Sequence, residues 1–266
     1  MKIKVRSSNE TIELAYRDKG AGEPVIFLHA FPLNQRMWDE QVAALSQIRR
    51  VITFDWRGFG KSEHRGDKFL METFADDLAA LMNELKIDRA VLCGLSMGGY
   101  AAFAFYRKYA DRVAALILAD TRAGADNEEG KRARSEMAEL ALQAGASVIA
   151  DRIIPRLLAP DTLQNKPQIA DRVRALIENN RPEAMAAAQR GMAERADSTD
   201  LLAKISCPAL VIVGSEDALT PLSEAEKMRA QIPSARMAVI SHAGHLSNLE
   251  QPDEFNRLAS DFLKQL

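Results

Sequence analysis

Six residues, Gly94-Leu95-Ser96-Met97-Gly98-Gly99, stand between the strand-length apolar run Ala90 to Cys93 and a helix-forming stretch that begins at Tyr100. The chain must turn from strand to helix within them, with Ser96 at the bend. A side chain in so tight a turn takes a strained backbone conformation that needs small neighbours, and Gly94 and Gly98 supply them. The helix that starts there offers unpaired backbone N–H groups and the positive end of its dipole. A hydroxyl so placed suits acyl transfer, in which those N–H groups take up the charge that develops on oxygen. The same residues could also be a glycine-rich connection needed only for packing, so the partners of Ser96 decide.

A serine is a weak nucleophile until a base removes its proton. Of the four histidines, His242 and His245 both lie on the loop after the strand-like Ala235 to Ile240, and Gly244 frees that loop to aim a ring. His29 at a strand end and His64 in a charged loop read as structural or surface residues. A carboxylate on another loop must fix the imidazole tautomer. Asp217 follows the buried-strand run Ala209 to Val213; Asp120, after Ala115 to Ala119, and Glu216 are its rivals. Two N–H donors are needed for an oxyanion. Met97, the residue after the serine, gives one, and Phe31 in His29-Ala30-Phe31-Pro32 gives the other.

Five stretches together resemble the α/β-hydrolase superfamily: Leu28-His29-Ala30-Phe31-Pro32, Asp55-Trp56-Arg57-Gly58-Phe59-Gly60-Lys61-Ser62, Gly94 to Gly99, Gly214-Ser215-Glu216-Asp217, and His242 to Pro252. The resemblance spans nearly the whole chain and is nearest to carboxylesterases similar to 3-oxoadipate enol-lactonases, with cofactor-free perhydrolases nearby. It implies Ser96 as nucleophile, Asp217 as acid, His245 rather than His242 as base, and Phe31 and Met97 around the oxyanion. Ala30 departs from the glycine usual in that family. An enol-lactone of a dicarboxylic acid would call for a cation near the pocket, for which Arg36, Arg122 or an arginine of the segment 122–200 are candidates.

Strands are expected at Val25 to His29, Val51 to Phe54, Ala90 to Cys93, Ala115 to Ala119, Ala209 to Val213 and Met237 to Ile240, with Ile12 to Arg17 as an antiparallel edge strand. Helical spacing runs from Phe69 to Leu85 and from Pro252 to Leu266. The alternation predicts an α/β fold, a mostly parallel sheet with helices on both faces, and ligand binding beyond the carboxyl ends of the strands. The interval 122–200 has no strand pattern and is expected to be a helical cap inserted into a core made of 1–121 and 201–266. Leu140, Leu142, Ile149, Ile153, Leu157 and Leu158 are candidates for its inner wall.

Charge and motifs exclude several functions. Balanced charge, 35 basic against 37 acidic residues, gives no field for nucleic acid or an anionic membrane. Gly60-Lys61-Ser62 lacks the upstream glycine of a phosphate-binding loop, because Asp55 holds that place. No ligand cluster calls for a metal or cofactor, and an aspartate-nucleophile hydrolase would not carry Ser96. Cys93 and Cys207 adjoin apolar strands and read as free thiols, and with a charged amino terminus they set cytoplasm as the expected compartment. Asn9-Glu10-Thr11 matches a glycosylation acceptor and is read as incidental. The expected function is hydrolysis of small esters or lactones through an acyl-enzyme. The alternatives are a perhydrolase and a non-catalytic ligand receptor, and the oligomeric state stays open.

Overall fold

Apolar runs without polar alternation become the inner strands, because a parallel sheet has both faces covered by helices. The computed structural model describes residues 1–7 and 10–266, so Asn9 of the glycosylation match lies outside the described residues. Its strands are β1 (Lys2–Ser7), β2 (Glu10–Lys19), β3 (Pro24–Leu28), β4 (Arg50–Phe54), β5 (Ala90–Leu95), β6 (Val113–Ala119), β7 (Ala209–Gly214) and β8 (Ala235–Ile240). They form one sheet in the order β1-β2-β4-β3-β5-β6-β7-β8. Pairing is parallel from β4 to β8 and antiparallel at β1 and β2. Every residue of β5 and β7 is buried.

The expected edge strand, Ile12 to Arg17, lies inside β2 but is not the edge. β1 pairs outside it, with Lys4 opposite Glu13 and Val5 opposite Ile12. Charge at Lys2, Lys4 and Arg6 is the outer side of an alternating strand in which Val5 and Ser7 are buried.

The helices are α1 (Asp39–Leu45), α2 (Met71–Glu84), α3 (Met97–Tyr109), α4 (Glu128–Leu157), α5 (Pro160–Asn165), α6 (Pro167–Glu178), α7 (Pro182–Ala193), α8 (Thr199–Leu202), α9 (Leu222–Gln231), α10 (Ser247–Glu250) and α11 (Pro252–Leu263). The path from β3 moves to β4 on one side and then crosses to β5 on the other. Right-handed crossovers therefore place α1 on one face and α2, α3 and α9 on the opposite one. In keeping with this, α1 packs on α11, and α2 packs on α3. The loops after β3 and β5 diverge at this reversal and leave a crevice beyond the sheet.

Between β6 and β7 the chain is helical from α4 to α8, without a strand. α4 is two helical pieces joined at Gly145, whose φ of 83° and ψ of 179° break the helix. It packs against α6 and α7. The Asp55-to-Ser62 stretch is a brace at the crevice. The Asp55 carboxylate accepts from Gln35 N at 2.8 Å and Lys61 N at 3.0 Å, while Arg57 makes a buried two-point contact with Asp77 of α2 at 2.7 and 2.6 Å.

Candidate active site

Ser96 sits at the junction of β5 and α3 with φ 55° and ψ −114°, a conformation that side chains rarely adopt. Its surroundings enforce the turn. Ser96 N–H donates to Ala119 O at 3.0 Å, and Ser96 O accepts from Gly99 N at 2.9 Å and from the Thr121 hydroxyl at 2.9 Å. A Cβ on Gly98 would lie 2.1 Å from Leu28 O, and one on Gly94 would lie 2.4 Å from Gly98 O. Both glycines are required by close backbone approach.

Asp217 and His245 are brought together. His245 Nδ1 lies 2.8 Å from Asp217 Oδ2, and both side chains are buried. The carboxylate is saturated. Its Oδ1 accepts from Leu219 N at 2.8 Å and Thr220 N at 2.9 Å, and its Oδ2 also accepts from the Thr220 hydroxyl at 2.6 Å. Nδ1 of His245 must then carry the hydrogen, which leaves Nε2 with its lone pair free. Burial pushes the His245 pKa down, but the Asp217 charge and hydrogen bond more than offset this and hold it above the ordinary value. Burial raises Asp217, and the same partner, with Thr220, draws it below the usual carboxylate range.

Ser96, His245, Phe31 and Thr220 line one cavity of about 280 Å³, at the small end for ligand pockets. Among the described residues, the Ser96 hydroxyl makes no hydrogen bond to the His245 ring. Catalytic contacts of this kind often tighten only when substrate binds. Met97 is buried, and Phe31 is nearly so. Their backbone N–H groups have no hydrogen-bond acceptor among the described residues; Phe31 lies in the loop after β3 and Met97 is the first residue of α3. Larger depressions of about 730 and 810 Å³ lie around Lys2 and Lys61, and neither contains any of these residues.

The rivals are placed elsewhere. His242 is exposed, and Glu216 is exposed beside Asp217. His29 is a buried brace: Trp56 N donates to its Nε2 at 3.0 Å, Nδ1 faces Ala30 O at 3.0 Å, and burial pushes its pKa down to about 4. His64 is half-buried against Phe69. Asp120 is buried, takes Gly214 N at 2.8 Å and bonds the Ser247 hydroxyl; burial, then repulsion from Asp217, raises its pKa to about 8. Among the described residues, no group of three His, Cys, Asp or Glu is arranged to hold a metal ion, and no helix is long and apolar enough to cross a membrane. Both cysteines are free and buried.

Of the proposed wall residues only Ile153 and Leu157 line the cavity, while Leu142 is exposed and Ile149 is buried elsewhere in the core. Of the candidate cations, Arg122 and three other arginines of the segment 122–200 reach the cavity. Arg122, Arg134, Arg152 and Arg156 all face this cavity, against one aspartate, Asp126. Arg36 does not line it and pairs with Asp39. Glu250 was also missed as a brace. It accepts from Gly244 N and Ala159 N, each at 2.8 Å, and so joins the histidine loop to the end of α4. A glutamate five residues after His245, between Leu249 and the helix-starting Gln251-Pro252, was the available signal.

The chain matches the family model described as alpha/beta hydrolase fold over residues 23–252. Among curated relatives, 3-oxoadipate enol-lactonase 1 of Acinetobacter baylyi is 31% identical over 245 residues, covering 91% of this chain and 89% of the relative. Among solved structures, a thermophilic esterase from Thermogutta terrifontis is 46% identical with a TM-score of 0.97, over 100% of this chain and 98% of that one. The enol-lactonase of Burkholderia xenovorans is 32% identical with a TM-score of 0.89, over 95% and 97%.

Proposed function

The chain belongs to the α/β-hydrolase fold family, and on that footing we propose that it is a serine hydrolase of small carboxylic esters or lactones. The carrying observation is the buried His245–Asp217 pair at 2.8 Å, opening on the same cavity as a serine held at φ 55°. In this reading His245 Nε2 takes the Ser96 proton as Oγ attacks the carbonyl carbon. The N–H groups of Phe31 and Met97 hold the oxyanion. The alcohol leaves with the proton from His245, and water, activated by the same ring, releases the acid and restores Ser96. The helices of 122–200 act as a cap that walls the pocket.

The arginines narrow the substrate. Among the described residues, Arg152 and Arg156 form no ion pair, and four residues apart on α4 they stand on one face of the helix. A fixed guanidinium charge with matching fork geometry suits a carboxylate remote from the scissile bond. The test uses methyl hydrogen glutarate beside dimethyl glutarate, followed by acid release. The parent is expected to turn over both and to prefer the half-ester, and Ser96→Ala should lose at least about 10³-fold in kcat. Near-parental turnover by Ser96→Ala overturns the reading.

A further inference from the structure

One buried amide links the inserted helices to the loops beneath them. Asn180 lies in the short connection between α6 and α7 and is 4% exposed. Its Nδ2 donates to Pro32 O at 2.7 Å, Leu33 O at 3.2 Å and Leu176 O at 2.9 Å. Its Oδ1 accepts from Gly60 N at 2.6 Å. A single side chain from the insertion thus holds the loop after β3, at the residue following Phe31, and the loop after β4. Gly60 itself is fixed by close approach, since a Cβ there would lie 2.3 Å from Asp55 Oδ2. A second strut runs parallel, from Asn34 Nδ2 to Leu176 O at 3.1 Å.

We infer that Asn180 is a positioning residue that sets the aim of the Phe31 N–H, so that the insertion between β6 and β7 governs transition-state stabilisation as well as access. The inference rests on the oxyanion role of Phe31 proposed above. The chemical reason is directional. An oxyanion donor works only when it already points to where the charge will form, and a displacement near 1 Å costs about 10²-fold. The other restraints on this turn act before Phe31 or span it: His29 Nδ1 faces Ala30 O at 3.0 Å, Trp56 Nε1 donates to His29 O at 3.2 Å, Ala30 N reaches Met37 Sδ at 3.3 Å and Leu33 N donates to Ala30 O at 2.9 Å, and none of them engages the Pro32 carbonyl. Pro32 cannot donate, so its carbonyl is the handle by which the turn is held.

The experiment compares Asn180→Ala with the parent in kcat, KM and affinity for an alkyl boronic acid, which forms a tetrahedral adduct on a catalytic serine. The expected result is a loss of about 10- to 100-fold in kcat, with KM within about threefold and a parallel weakening of boronic acid binding. Tyr106→Phe removes a hydroxyl that accepts Ser206 N–H at 3.0 Å near the far end of α3, and serves as the stability control. It should lower the melting temperature without the kcat loss. If Asn180→Ala does not fold, Asn180→Ser keeps a donor and an acceptor and should show an intermediate loss. Parental kcat and boronic acid affinity in a folded Asn180 variant overturn the inference while leaving the serine-hydrolase reading intact. An inactive parent, by contrast, defeats both.

Discussion

At the scale of single residues, the site depends on one proton being absent. In the proposed mechanism His245 accepts the serine proton only when unprotonated, and its pairing with Asp217 holds its pKa above the ordinary 6.5 despite its burial. kcat/KM for a neutral ester should therefore rise with pH along a limb whose midpoint lies above 6.5. Asp217→Asn removes the anion that supports the charged ring, so the limb should move to lower pH while kcat falls about 10⁴-fold. A pH–rate profile of both proteins checks this, and an unmoved limb would show that Asp217 does not set the titration. That Ser96, Asp217 and His245 meet at one end of the sheet was legible in sequence, because each follows a strand run. The tautomer was not, because it follows from Thr220 and two backbone N–H groups closing around Asp217, contacts that exist only once the loop has folded.

At the scale of elements, the turn from β5 into α3 is set by backbone packing. Gly98 lies so close to β3 that a Cβ would stand 2.1 Å from Leu28 O. Gly98→Ala must push β3 and α3 apart, at a cost of about 1–3 kcal/mol by the usual scale of overpacking. The measurement is the urea midpoint, and activity should fall with it because Phe31 lies only three residues beyond the end of β3. An unshifted midpoint would show that the two elements can separate freely. Strand runs at β3 to β8 were readable to within a few residues, since unbroken apolar stretches have few places to go. β1 was missed because its alternation of Lys2, Ile3, Lys4 and Val5 read as charge, and the true edge was assigned to β2. Within the interval expected to be a helical cap, Gly145 divides α4 into two pieces that both line the cavity.

At the scale of the whole molecule, the two ends of the insertion are tied to each other by charge as well as by packing. Asp126, in the loop after β6, accepts from Arg122 nearby, Arg134 of α4 and Arg195 beyond α7, and its side chain is buried. Burial raises its pKa, but the arginines prevail and draw it down to about 2. A depressed carboxylate pKa stabilises the fold above the unfolded value, and that contribution is lost as pH falls from 3.8 toward 2. Asp126→Asn leaves Arg195 buried without a counter-charge and should cost about 3–5 kcal/mol at neutral pH. Urea unfolding of both proteins should show that gap closing across the acid window, and a constant gap would refute the electrostatic tie. This cluster was invisible in sequence, where its members are scattered over the interval 122–200 and its margin. The sheet order has a further consequence. Ser96, Asp217 and His245 leave the ribosome in that order, and the last two are seated only when β7 and β8 complete the sheet. On the proposed mechanism a nascent chain thus displays a disarmed serine, and reactivity is confined to the finished molecule.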